Sequence, residues 1–116
     1  MESDTVVLVR QAGLGMVETG DREFGLQMFD RFLHALETQP NKPRAICFYT
    51  EGVKLICEGS PVVPALRLIE AMGIRLAVCT SCLEYYGLRQ KLAAGQACGM
   101  NDILKLLMDA GKVISV

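Results

Sequence analysis

Five cysteines occur in a chain of 116 residues, and two of them, Cys79 and Cys82, are separated by two hydroxyl residues in the run Cys79-Thr80-Ser81-Cys82. The thiolate is the nucleophile, so a reactive cysteine needs something that lowers its pKa. The residues before the pair, Arg75-Leu76-Ala77-Val78, read as a buried strand, and Leu83-Glu84-Tyr85-Tyr86 after it reads as a helix start, so the thiols fall at a strand-to-helix turn. The free amides and dipole of a helix N-terminus supply partial positive charge there. Thr80 and Ser81 add hydroxyl donors able to hold a thiolate or a persulfide. In an open parallel sheet such a turn lies on the ligand-binding edge.

The same spacing admits other chemistry. Thiol-disulfide exchange would use one cysteine to attack and the other to resolve, but the proline and tryptophan of thioredoxin-type sites are missing from the motif. Zinc would want a second pair at similar spacing, whereas Cys57 and Cys98 are isolated, so no metal is expected and no cofactor is implied. As purely structural residues, Cys79 and Cys82 would be small groups closing a tight turn. Cys47 lies inside an apolar run, where a thiol has a raised pKa and little reactivity.

The elements that must position the pair follow from periodicity. Thr5-Val6-Val7-Leu8-Val9 is a continuous β-branched and apolar run, the pattern of a strand covered on both faces. Residues 11–20 form a glycine-containing loop without the dinucleotide-binding spacing. From Asp21, a plausible cap, Phe24, Met28, Phe29, Phe32, Leu33 and Leu36 recur at helical intervals, and His34 falls on the polar side. Residues 44–49 read as a second buried strand. The stretch 50–60 is longer than the usual strand-to-helix connection and carries Lys54, Cys57 and Glu58, which makes Lys54 and Glu58 candidates for a functional rim. Ser60-Pro61 suggests a helix start that Pro64 can delay by a turn, with Gly73 as terminator. Residues 74–78 give the third strand. A short helix through Tyr85 and Tyr86 should loosen at Gly87, with more helix at 88–93, and the tyrosines are expected to pack on the sheet or a second subunit. Residues 95–99 form a short strand or a loop, Asn101 can cap a helix striped with Ile103, Leu104, Leu107 and Ala110, and residues 112–116 make an edge strand. Alternating strands and helices of this kind assemble as a three-layer α/β/α domain, a mostly parallel sheet of about five strands spanning 1–116.

Composition narrows the partners. Acids and bases are interleaved at a net charge of −1, so no basic stripe exists for nucleic acid. No apolar run approaches the ~20 residues of a membrane-spanning helix, and Met1-Glu2-Ser3-Asp4 lacks the basic start of a signal peptide, so a cytoplasmic protein is expected. With 51% hydrophobic residues and a mean hydropathy of +0.29, apolar surface should remain for contacts between subunits, and a homo-oligomer is expected.

The run 79–87, together with Gly52-Val53-Lys54-Leu55-Ile56-Cys57-Glu58-Gly59-Ser60, resembles the DsrE/DsrF-like sulfurtransferase family, and within it the carboxy-terminal domain of YedF-type proteins associated with selenium metabolism. The similarity runs from Val6 to Ile114. The resemblance implies a three-layer domain, often oligomeric, that carries sulfur or selenium as a cysteine persulfide between donor and acceptor proteins. It assigns the carrier role to Cys79, a second cysteine of some branches to Cys82, and one typical of the YedF branch to Cys57. Full YedF-type proteins add a TusA-like domain with its own Cys-Pro motif, which this sequence does not contain. A non-catalytic binding module and a thiol-disulfide redox switch are the alternatives.

Overall fold

The apolar runs pair directly with one another. In the computed structural model, which describes residues 4–116, β1 (Thr5–Val9), β2 (Ala45–Phe48), β3 (Arg75–Cys79), β4 (Gln96–Cys98) and β5 (Lys112–Ser115) form a single sheet in the order β4-β3-β2-β1-β5. Every pairing is parallel. Met1, Glu2 and Ser3, on which the signal-peptide reading bears, lie outside the described residues. Among the described residues, no helix is long and apolar enough to cross a membrane.

Four helices complete the layers: α1 (Arg22–Glu37), α2 (Val63–Ala71), α3 (Thr80–Tyr85) and α4 (Met100–Asp109). Strands β1 to β4 step across the sheet in one direction, so right-handed crossovers put α1 and α2 side by side on one face. The chain then returns over the sheet to place β5 beside β1, which carries α4 across the opposite face. The α/β/α expectation therefore holds.

Register decides which side chains meet. Alternation along a strand sends neighbours to opposite faces. With Leu8 opposite Cys47, Cys47 opposite Ala77 and Cys79 opposite Cys98, these residues share the face crossed by α4. Val7, Val9, Ile46, Phe48, Leu76 and Val78 occupy the other face, under α1 and α2. All of these except the half-buried Cys98 are buried.

Several local expectations change. Asp21 stands before α1 but makes no capping bond; it closes a 3-10 turn (Thr19–Asp21), its amide donating to the Glu18 carbonyl at 2.8 Å. The buried stripe of α1 is Gly25, Phe29 and Leu33, while Phe24 is exposed. Helix α2 does start late, at Val63, and the Ser60 hydroxyl oxygen accepts from the Val62 amide at 3.4 Å. Gly73, at φ +92°, ends it where an L side chain would be strained. Asn101 is not the cap of α4: Gly99 takes that place, and the Asp102 carboxylate reaches back to its amide at 3.3 Å. Ile103 is buried on α4, but Leu104 faces outward. Residues 88–93 contribute only a 3-10 turn (Arg89–Lys91).

The largest correction concerns residues 50–60. Most of this stretch is a 3-10 helix, Thr50–Ile56, with Gly52, Val53, Leu55 and Ile56 buried. Its apolar side chains are part of the core, so it cannot behave as a free surface loop. Gly52 makes the docking feasible, because a Cβ there would lie 2.2 Å from the carbonyl oxygen of Val9 at the end of β1.

Candidate functional site

Strand β3 delivers Cys79 as its last residue, and α3 begins at the next position. Cys79 is only 1% exposed, whereas Cys82, in the first turn of α3, is half-buried. The two thiols flank the junction of β3 and α3, close enough that Cys79 is among the groups acting on the ionisation of Cys82. Leu83, fully buried, pins α3 to the core and with it the position of Cys82.

Across from α3, the backbone amide of Thr50 donates to Cys82 Sγ at 3.0 Å. Thr50 has φ 48°, the one described non-glycine residue in the left-handed region. For a β-branched residue this conformation is an outlier that costs on the order of 1–3 kcal/mol. The strain is over-determined locally: the Thr50 hydroxyl lies 3.1 Å from the Arg10 carbonyl and 2.8 Å from that of Tyr49, while the Tyr49 amide donates to the Val9 carbonyl at 3.2 Å. The result is an amide aimed at sulfur from the neighbouring strand end. Helix α3 has six residues, so its short dipole is joined by a donor that belongs to another element.

These contacts set the ionisation of the pair. Burial pushes the Cys82 thiol up, the Thr50 amide opposes that rise, and the Cys79 thiol beside it adds to it. Cys47, in the sheet interior, is pushed up to about 11 by burial, as expected for an inert core thiol.

Cys98 is the member that its isolated position in the sequence concealed. Parallel register sets it directly beside Cys79 on the same face. Burial raises its pKa, with Cys79 and Asp102 among the further causes and Arg75 opposing. A motif search along one segment misses such a partner; pairing 95–99 against 75–79 finds it.

The remaining candidates separate. The Thr80 hydroxyl donates to the Cys98 carbonyl at 3.1 Å, tying α3 to β4, and Ser81 is exposed. Lys54 sits on the 3-10 helix with its ammonium 4.4 Å from the Tyr86 ring centroid and 3.4 Å from Glu51, which places it at the rim joining that helix to α3. Tyr86 packs against the core and Tyr85 is exposed. Cys57 has partners of its own: its thiol donates to the Val53 carbonyl at 3.2 Å, and its backbone bridges Leu92. Burial and the adjacent Glu58 raise its pKa. Glu58 is exposed, its amide donating to the Lys91 carbonyl at 2.8 Å. His34 is exposed between Asp30 and Glu37, at 3.5 and 3.7 Å.

Two clefts bear on the arrangement. One of about 320 Å³ lies beside the 3-10 helix, lined by Gln11, Gly13, Met16, Arg22, Glu51 and Lys54 among others. A larger one, about 570 Å³, lies between α1 and the turn before α2 and is lined by no cysteine.

The DsrE/DsrF-like family model matches residues 28–116. No curated protein matches the sequence. Among solved structures, YchN from E. coli is similar over 100% of both chains at 15% identity, with a TM-score of 0.73. MTH1491 from Methanobacterium thermoautotrophicum, a protein of unknown function, covers 97% of each chain at 16% identity and a TM-score of 0.70. BT1422 from Bacteroides thetaiotaomicron, also of unknown function, matches 97% of this chain and 95% of its own at 18% identity, with a TM-score of 0.66. At these identities the likeness establishes a shared fold.

Proposed function

Because the chain belongs to the DsrE/DsrF-like family, which is associated with sulfur relay, we propose that it carries sulfur as a cysteine persulfide on the Cys79–Cys82 pair. The observation that carries this reading is the placement of a buried thiol at the end of β3 and a half-buried one in the first turn of α3, with the Thr50 amide donating to the latter. In the loading reaction a thiolate attacks the terminal sulfur of a donor persulfide, the donor's S–S bond breaks, and the donor leaves as a thiolate. No oxidant or reductant is consumed. Storage on Cys79 places the bound sulfur where water and oxidants reach it poorly.

The test is incubation with a cysteine desulfurase and cysteine, followed by intact-mass and peptide mapping. The wild type gains the mass of a sulfur atom, mapped to Cys79 at completion, and the Cys79→Ser/Cys82→Ser double variant gains none. Persistence of the added mass in the double variant overturns the reading. Selenium is a second cargo in this proposal, supported by the resemblance of residues 52–60 and 79–87 to YedF-type proteins; a donor carrying selenium as a cysteine perselenide that leaves the wild type unmodified removes it.

Self-association belongs to the same proposal. Met100, Leu104 and Met108 recur every four residues along α4 and are 46%, 52% and 75% exposed, an apolar stripe that a second copy would cover. Light scattering after size exclusion should give a multiple of the chain mass that Leu104→Lys reduces; a monomeric wild type ends this part of the reading.

A further inference from the structure

The two thiols differ in the opposite sense from that of an exposed carrier with a resolving partner behind it. Cys79, assigned the carrier role by resemblance, is 1% exposed. A donor protein must bring its sulfane sulfur into bonding contact with the attacking thiolate, along the axis of the bond that breaks. Cys82 meets that requirement: it is half-buried, and its sulfur already accepts the Thr50 amide at 3.0 Å. The strain stored at Thr50 is spent on aiming this donor at Cys82 and not at Cys79.

We propose that Cys82 is the first acceptor and that Cys79 takes the sulfur from it in a second, intramolecular step, with the Thr50 amide as the positioning group for both. This order rests on the sulfur-carrier reading above. In the first step the Cys82 thiolate attacks the terminal sulfur of the donor persulfide; the donor departs as a thiolate and a Cys82 persulfide forms. In the second, Cys79 attacks that terminal sulfur. The Cys82 S–S bond breaks, the Cys79 thiol proton passes to the departing Cys82 Sγ, and a Cys79 persulfide results, the two residues standing on either side of the β3–α3 junction. One thiol and one persulfide are present before and after, so the transfer needs no redox partner. The Thr50 N–H stabilises charge on Cys82 Sγ twice, as nucleophile and as leaving group. Delivery outward reverses the sequence, so the exposed thiol serves donor and acceptor alike.

Time-resolved loading with a cysteine desulfurase and cysteine, quenched by alkylation and mapped by peptide mass, tests the order. The wild type should show a Cys82 persulfide that rises and decays as the Cys79 persulfide accumulates. Cys79→Ser should keep its sulfur on Cys82, and Cys82→Ser should load Cys79 slower by about tenfold or more. Cys82→Ser loading Cys79 at the wild-type rate, or Cys79→Ser taking up nothing, overturns the order while leaving the carrier reading intact. A wild type that takes up no sulfur at all overturns the carrier reading itself. Independently of any variant, limiting iodoacetamide should alkylate Cys82 about tenfold faster than Cys79 in the wild type; the reverse order overturns the proposal.

Discussion

The two faces of the sheet are built for different purposes. Under α1 and α2 the strands present Val7, Val9, Ile46, Phe48, Leu76 and Val78, large side chains that fill a conventional interior. On the face crossed by α4 they present Val6, Leu8, Ala45, Cys47, Ala77, Cys79 and Cys98, so that three thiols and two alanines stand beside two larger aliphatic side chains under one ten-residue helix. Stability is concentrated on the first face and chemistry at the rim of the second. Substitutions should therefore separate: those on the first face move folding and spare thiol reactivity, whereas those at Cys79 and at the α3 junction beside it move thiol reactivity first.

The largest expected effect is on the packed face. Phe48→Ala removes a fully buried ring and should cost about 3–5 kcal/mol of unfolding free energy by urea denaturation. In the folded fraction, the ratio of Cys82 to Cys79 alkylation should stay at the wild-type value. A changed ratio would mean that the two faces are coupled and the comparison fails.

Next in size is an effect of pH on the thiol face. The ordinary thiol value is 9.0 and folding raises Cys47 to about 11, so the unfolded chain loses this proton at lower pH than the native protein does. The contribution is present in full below 9.0 and is lost as pH climbs from there to about 11. Urea midpoints on either side of that window should fall less in Cys47→Ala than in the wild type. Parallel curves would show that Cys47 is not held protonated by the fold.

The smallest effect is expected at Thr50. Replacing it with glycine relieves the strain at φ 48° but gives up the hydroxyl contacts and adds backbone entropy to the unfolded chain, terms that offset to within about 1 kcal/mol. The amide survives, so Cys82 should alkylate as in the wild type. A large loss of reactivity would shift the credit from the amide to the Thr50 side chain.

Legibility followed the range of the interactions. Strands β1, β2 and β3 were readable to within a residue at each end, because a buried parallel strand is a continuous apolar run. The turn at Cys79 was readable for the same reason, since a strand and a helix leave different periodicities on either side of it. Thr50 was not: threonine is a poor residue for φ > 0, and its conformation is imposed by Arg10, Tyr49 and Cys82, all remote or neighbouring groups that no local pattern encodes. Residues 50–60 misled by length, because a 3-10 helix has too few turns to establish a period. Cys98 was hidden by distance along the chain from Cys79, which only the β3–β4 register closes.

The placement of the aromatic residues has an optical consequence. The chain has no tryptophan and three tyrosines, so near-ultraviolet absorption and emission come from tyrosine without energy transfer to indole. Tyr49 immediately precedes Thr50, and Tyr85 and Tyr86, with ring centroids 5.1 Å apart, follow Cys82 on α3 and its end. All three chromophores thus flank the Thr50–Cys82 hydrogen bond. Tyrosine emission and near-ultraviolet dichroism should track sulfur arriving at Cys82, so the kinetics of this site can be followed without attaching a label.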